Sequence, residues 1–152
     1  MSHLSTLKTN ITDLEALKRA LLHCGVKASQ IEISTNGPLT ARGYHSDAFH
    51  ANLVVHKPDK DFGSDIGWEK TADGTYAVHT DSYDYRRGNP NGQHYDESWT
   101  NRLNTRYAVE KAKMEFDARG IEYSESTDEK KRTVLTARFK TPEQSRFVRL
   151  GR

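Results

Sequence analysis

The sequence feature that most constrains the fold is a hairpin signal centred on Asp73-Gly74. Before this dipeptide, Ile66 and Trp68 alternate with other residues and so fall on one face of an extended strand. An Asp-Gly pair readily adopts the positive φ angles that tight hairpin turns require. The pattern therefore predicts two antiparallel strands, at about residues 65–71 and 75–81.

Two segments have the periodicity of amphipathic helices. In the first, leucines recur at helical spacing after the capping-box pattern Thr12-Asp13-Leu14-Glu15, and Gly25 can end the helix. The second runs from about Ser98 to Arg119, with an apolar stripe along one side and Gly120 as its terminator. Taken with the strand patterns, this periodicity predicts a buried core of Leu17, Leu21, Leu53, Val55, Trp68, Val78, Leu103, Tyr107, Phe116, Leu135 and Phe139.

Further alternating or β-branched runs predict strands on either side of these elements. They lie at about residues 4–11, 30–34, 51–56, 121–126 and 133–140, whereas residues 40–49 have no clean period. The order is strand, helix, strands, helix, strands, with mostly short connections. It favours an α+β fold, an antiparallel sheet covered on one face by two helices, in a ferredoxin-like arrangement with an added central hairpin. We expect one domain over residues 1–140 and a basic carboxy-terminal tail over 141–152.

Composition narrows the class of protein. The chain has 152 residues, and its 23 Lys and Arg nearly balance 21 Asp and Glu, so overall charge does not favour nucleic acid or membranes. A single cysteine, Cys24, excludes an intramolecular disulfide, and no run approaches the ~18 apolar residues of a membrane span. The amino terminus has no basic flank followed by an apolar core. We therefore expect a cytoplasmic protein that is neither exported nor embedded in a membrane.

Several short segments resemble a known family. They are the opening residues 1–11 before a leucine-rich helix, Asp65-Ile66-Gly67-Trp68 with Asp73-Gly74 and Tyr76 downstream, and Arg106-Tyr107-Ala108-Val109. Together they resemble the hypothetical chloroplast reading frame thirty-five family, small proteins of cyanobacteria and algal plastids with relatives in other bacteria and phages. The resemblance implies a domain of unknown function without accepted catalytic residues. The position of some relatives near genes for ring-forming AAA-type ATPases implies an accessory or adaptor role.

Residue patterns typical of catalytic and metal sites are weak in this sequence. Seven histidines lack the spacing of known zinc motifs, and Cys24 near a helix end is more typical of a structural thiol. No phosphate-binding loop or dinucleotide fingerprint is present. We expect no cofactor, no bound metal and no enzymatic activity. The alternative is a small enzyme or metal site around His56 and His79, which could converge across neighbouring strands.

The most informative cluster lies in the long segment 82–97, which combines turn-forming residues with tyrosines and arginines. Aromatic and arginine side chains together can stack on bases and neutralise phosphates, but they are also enriched in protein interfaces. Asp84, Asp96 and Glu97 would repel a phosphate backbone, so a protein partner is favoured over nucleic acid. The predicted binding residues, including two from the tail, are Tyr83, Tyr85, Arg86, Arg87, His94, Tyr95, Arg146 and Arg149.

Three functional hypotheses remain open at this point. The first is a non-catalytic accessory protein that binds another protein, in an ATPase-associated or a phage or cyanobacterial assembly. The second is a nucleic-acid-binding module that uses the same tyrosines and arginines. The third is the small enzyme around His56 and His79.

Overall fold

The computed structural model describes residues 4–34, 36–43, 47–57, 64–81, 95–139 and 146–150. Within these ranges the elements are β1 (Leu4–Leu7), α1 (Leu14–His23), a 3-10 helix (Ala28–Gln30), β2 (Ile31–Ile33), β3 (Leu39–Arg42), β4 (Ala48–Ala51), β5 (Leu53–Val55), β6 (Ile66–Lys70), β7 (Tyr76–Asp81), α2 (Glu97–Ala118), β8 (Glu122–Thr127), β9 (Thr133–Arg138) and β10 (Arg146–Leu150). The predicted α+β class is confirmed. The ferredoxin-like detail stays a prediction.

The chain divides into two compact units, each built from two separate stretches of sequence. The first unit comprises Met1–Leu14 and Gly25–Asn101, and the second comprises Glu15–Cys24 and Arg102–Arg152. Most of both helices therefore belongs to the second unit. The expected division into a domain over 1–140 and a tail over 141–152 stays a prediction.

A five-stranded antiparallel sheet forms the centre of the first unit. Its strand order is β1-β7-β6-β5-β2. The hairpin predicted around Asp73-Gly74 joins β6 to β7, with Trp68 opposite Val78. Gly74 has a φ of +87°, and Asp73 Oδ1 accepts a hydrogen bond of 3.0 Å from the Thr75 amide. The turn chemistry anticipated from the sequence thus sets the register of the central strands.

The two faces of this sheet differ in chemistry. Residues directly opposite each other in an antiparallel pair share a face, so the register assigns each side chain to one of the two faces of the sheet. One face carries residues that are at most 2% exposed, namely Leu53, Val55, Ile66, Trp68 and Val78. By the same register the opposite face carries Glu32, Glu69 and His79. Polar groups that can interact are therefore concentrated on one side.

A second hairpin, β3–β4, packs on the polar face over Gly67, and the sequence reasoning did not predict it. A Cβ atom placed on Gly67 would lie 2.7 Å from the Ala51 Cβ and 2.9 Å from Phe49 Cε2. Glycine is thus required at this point because the hairpin approaches the sheet backbone too closely for any side chain. The small buried cluster beneath the hairpin comprises Ala41, Phe49, Ala51 and Val54, with Leu39 packed against it.

The second unit combines the helices with a three-stranded antiparallel sheet of order β10-β9-β8. The predicted closing hairpin is confirmed as β8–β9, and the segment expected to be a tail contributes β10, with Val148 opposite Leu135. Helix α2 packs on β8 through the rings of Phe116 and Tyr123, whose centroids are 5.6 Å apart. The interior of this unit includes three fully buried side chains, Leu17 and Leu21 of α1 and Leu103 of α2.

Nine of the eleven predicted core residues are buried, and the exceptions are Phe116 and Phe139, which are half-buried. Both exceptions lie near the ends of their elements, where fewer neighbours cover a side chain. Within the described residues, no helix is both long and apolar enough to cross a membrane.

Candidate functional site

Five of the predicted binding residues lie outside the described part of the chain. They are Tyr83, Tyr85, Arg86, Arg87 and His94. Their role as a contact surface therefore stays a prediction.

Tyr95 is described, and it belongs to the interior of the first unit. Its side chain is largely buried, and its ring centroid lies 4.6 Å from that of Trp99 at the start of α2. Asp96 follows it and caps the helix, because its Oδ1 accepts a 2.8 Å hydrogen bond from the Trp99 amide. Tyr95 therefore anchors the carboxyl end of the segment 82–97 and offers little of its ring to a partner.

Arg146 and Arg149 both lie on β10. Their backbones stand opposite Ala137 and Val134 of β9. Since the sheet order ends at β10, the far edge of this strand pairs with no other strand in the part of the chain that the structure describes. The two arginines are thus carried by an edge strand.

His56 lies between two carboxylates at the end of β5. Its Nε2 is 2.8 Å from Glu32 Oε1, and its Nδ1 is 3.5 Å from Asp65 Oδ2. Asp65 is 5% exposed and accepts hydrogen bonds from the amides of Arg42 and Lys57 at 2.9 and 2.8 Å. Because this carboxylate ties β3 to the residues after β5, its first role is to join strands.

His79 has a separate set of partners in the middle of β7. Its Nε2 is 2.9 Å from Glu69 Oε1, its Nδ1 is 2.8 Å from Thr6 Oγ1, and its ring stacks at an angle on Phe49. In the sheet register His79 of β7 lies opposite Gly67 of β6, and Gly67 lies opposite Val54 of β5. Val54 is two residues before His56 in the sequence. At about 4.8 Å per strand the two histidines are about 10 Å apart across the sheet alone. They share a face but do not converge.

No group of three or more His, Cys, Asp or Glu side chains among the described residues is placed to hold a metal ion. The described residues therefore offer no ligand set for a metal site around His56 and His79, and the small-enzyme alternative stays a prediction. What remains at His56 is one imidazole held between a buried and an exposed carboxylate.

The second unit contains an ion-pair network between α2 and β8. Arg106 binds Glu125 through two hydrogen bonds of 2.8 and 3.2 Å, and Lys113 Nζ reaches the same carboxylate at 3.0 Å. The hydrogen bond from Arg106, reinforced by Lys113, lowers the pKa of Glu125 to about 2. Glu110 Oε2 lies 2.6 Å from Arg106 Nη2, although no N–H is aligned with it as a hydrogen bond. The network fixes the long side chain of Arg106.

Beside this network lies a cavity of about 290 Å³, entirely within the second unit. Its polar wall is formed by His23, Arg102, Thr105, Arg106 and Thr133, and Cys24 and Val109 complete it. Burial raises the pKa of the Cys24 thiol, and the neighbouring Arg102 and Arg106 only partly offset that effect. The thiol is therefore protonated at neutral pH, as expected for a structural cysteine.

The sequence of residues 28–135 matches a family of proteins of unknown function, DUF1257. The match covers well over half of the 152 residues. The chain belongs to the DUF1257 family. In this DUF1257 protein the matched segment runs from the 3-10 helix into β9, so it includes both histidine pairs and the Arg106 network. Helix α1 and strand β10 lie outside it.

Comparisons of the DUF1257 protein with curated proteins and with solved structures found no match. The sequence reasoning missed the cavity beside Cys24 because its walls come from α1, α2 and β9, which are far apart in the chain. A partial signal was present, since Arg102 and Arg106 recur at helical spacing among the apolar residues of α2.

Proposed function

We propose that this protein is a non-catalytic accessory protein that binds another protein by adding a strand to its three-stranded sheet. The observation that carries the proposal is the position of β10 at the edge of that sheet. An edge strand presents unpaired N–H and C=O groups, and an extended segment of a partner can pair with them. The partner's backbone supplies affinity in this mode, and its side chains supply specificity.

Charge favours one class of partner segment. The sequence of β10 includes Arg146 and Arg149 among its five residues, whereas β8 at the opposite edge carries the exposed Glu122. An acidic extended segment is attracted to the first edge and repelled by the second. The proposed occupant of the β10 edge is therefore an extended, acidic segment of another protein.

The segment 82–97 is the proposed second contact element. Tyr83 and Tyr85 can supply large contact area for little lost rotamer freedom, and the arginines of the segment can pair with carboxylates. In the double variant Tyr85→Ala with Arg86→Ala, we expect folding to be retained and partner capture to weaken about tenfold or more. Capture is measured with the purified partner, and unfolding is followed in urea. Unchanged capture, or a collapse of stability, would count against this element.

The family resemblance supports a further proposal about the kind of cell and the kind of assembly in which the protein works. We propose that the protein is a relative of the chloroplast reading frame thirty-five proteins and works in the cytoplasm of a cyanobacterial or phage-infected cell. An assembly with a ring-forming ATPase is the setting that the resemblance implies. The support is the set of sequence segments quoted above together with membership in a family of unknown function.

A charge-reversal pair tests the β10 interface. The variant Arg146→Glu with Arg149→Glu is compared with Lys130→Glu with Lys131→Glu, which makes the same change in charge on exposed residues of the β8–β9 turn. The partner is captured from host extract on the wild-type chain, identified by mass spectrometry and then tested as a purified protein. We expect the arginine variant to lose binding and the lysine variant to retain it.

Two results would contradict the proposal. Equal binding by both variants would remove β10 from the interface. Binding to short oligonucleotides that falls steeply with salt, and that the arginine variant loses, would replace the protein partner with nucleic acid, because released counterions produce that dependence.

A further inference from the structure

Three side chains on the polar face of the five-stranded sheet form a continuous chain of hydrogen bonds. Thr6 Oγ1 lies 2.8 Å from His79 Nδ1, and His79 Nε2 lies 2.9 Å from Glu69 Oε1. The sheet brings them together because Thr6 of β1 stands directly opposite His79 of β7, and β7 pairs with β6, which carries Glu69. The order hydroxyl, imidazole, carboxylate is that of a nucleophile, its base and the group that orients the base.

The carboxylate decides the direction of both hydrogen bonds. An ionised carboxylate only accepts, so the bond to Glu69 requires a proton on His79 Nε2. In the neutral imidazole the other nitrogen is then an acceptor, and the hydroxyl of Thr6 donates its proton to Nδ1. The His79 side chain is 12% exposed and its ring packs on Phe49, which holds the imidazole in this orientation. The hydroxyl of Thr6 is thus aimed at a fixed base.

A reactant can reach Thr6 from outside. The residue is exposed, and it lies on β1, which pairs only with β7 in the described part of the chain. Along an edge strand the amides alternate between the neighbouring strand and the outside, so an outward N–H lies at Thr6 itself or at the residues next to it. Such an N–H can donate to the oxyanion that forms when a hydroxyl attacks a carbonyl group. Strand β1 therefore offers both an accessible nucleophile and a donor for the intermediate.

We propose that Thr6 is a site of covalent acylation, at which its hydroxyl accepts the acyl group of a small thioester. His79 removes the proton of the hydroxyl while Thr6 Oγ1 forms a bond to the carbonyl carbon. The carbon–sulfur bond then breaks, and the leaving thiolate takes the proton from His79. The products are a threonine ester and a free thiol, so no oxidant or further reactant is needed. A thioester is the fitting donor because a thiolate leaves more easily than an alkoxide or an amine.

This modification is independent of the protein-binding proposal. It is stoichiometric, so it is consistent with a non-catalytic accessory role. All three side chains belong to the first unit, whereas β10 belongs to the second. Failure of the acylation test would therefore leave the β10 interface untouched, and the reverse also holds.

The chain contains a matched threonine without this chain of hydrogen bonds. Thr40 of β3 is exposed and stands directly opposite His50 of β4, as Thr6 stands opposite His79. Among the described residues, no hydrogen bond joins Thr40 to His50, and no carboxylate is bonded to the imidazole of His50. Thr40 therefore reports the reactivity of a cross-strand threonine that lacks an oriented base.

Acetylation by a small neutral thioester tests the proposal. The full-length protein is incubated with S-phenyl thioacetate, and the acetylation of each threonine is followed over time by peptide mass spectrometry. We expect Thr6 to react about 100-fold faster than Thr40, the lower end of what a positioned base contributes. His79→Gln should reduce the rate at Thr6 to that of Thr40 and leave the acetylation of lysines unchanged. Equal rates at Thr6 and Thr40 in the wild type, or no effect of His79→Gln, would overturn the proposal.

A second variant keeps the test decisive if His79→Gln perturbs the sheet. The side chain of Glu69 is 44% exposed, so Glu69→Gln removes the orienting carboxylate with little loss of packing. We expect Glu69→Gln to slow the acetylation of Thr6 and to leave that of Thr40 unchanged, with urea unfolding showing that the fold is retained. An unchanged rate at Thr6 in this folded variant would equally overturn the proposal.

Discussion

The ion pair between Arg106 and Glu125 makes the stability of the protein depend on pH in a predictable way. The pKa of Glu125 falls from 4.5 to about 2 in the folded chain. A depressed pKa means that the folded state favours the ionised carboxylate, so the stabilisation is complete above about pH 4.5 and is lost as the pH falls towards 2. At about 1.36 kcal/mol per pH unit, this shift corresponds to at most about 3.4 kcal/mol.

Solvent reduces that figure. The side chain of Glu125 is 33% exposed, and exposed ion pairs contribute much less than buried ones. We therefore expect Glu125→Gln to lower the free energy of unfolding by about 1–2 kcal/mol at pH 7 and by clearly less at pH 3. Glutamine keeps the shape of the side chain and removes the charge.

The assay is urea unfolding of the wild type and of Glu125→Gln at pH 7 and at pH 3. The difference in the free energy of unfolding between the two proteins is then compared between the two pH values. Glu122→Gln is the matched control, because Glu122 lies exposed on the same strand, and its change should stay within about 0.5 kcal/mol. If the difference between wild type and Glu125→Gln is the same at both pH values, the assigned ion pair does not stabilise the fold.

Three other predictions follow from the fold. Leu21→Ala should cost roughly 2–5 kcal/mol in chemical denaturation because Leu21 is fully buried, and a change near zero would mean that α1 is misplaced. Gly67→Ala should lower the free energy of unfolding by about 1–3 kcal/mol because the added Cβ overlaps Ala51. Gly43→Ala is the control and should be nearly neutral, because the nearest atom to an added Cβ there would be 3.6 Å away. Equal effects of the two substitutions would contradict the packing of β3–β4. Protein purified without added metal should contain no stoichiometric transition metal by elemental analysis, and one equivalent retained through dialysis would point to ligands outside the described residues.

Elements whose signals are local were predicted well from the sequence. The β6–β7 hairpin depends on Asp73-Gly74 and on alternation over a few residues, and the observed bounds of its strands differ from the prediction by at most one residue. Helix α2 was placed within a residue as well, although its cap is Asp96, two positions before the predicted start. In both cases neighbouring residues alone decide the structure.

Elements that depend on distant residues were missed. The β3–β4 hairpin is short, and it is stabilised by packing on Gly67, which no local pattern in residues 40–49 reveals. The first predicted strand was too long for a related reason, since β1 pairs with β7 only as far as Leu7. The cavity beside Cys24 was missed for the same reason, because three separate segments of the chain form its walls.

Amide hydrogen exchange of residues 146–150, in the free protein and in complex with its purified partner, is the most direct test of the central claim that β10 is a docking edge. Strand addition orders the outward-facing amides, which alternate along an edge strand, so we expect exchange to slow at about half of these positions on binding. The exposed β8–β9 turn should exchange equally in both states. Unchanged exchange across residues 146–150 in a saturated complex would show that the partner binds elsewhere and would contradict the proposed function.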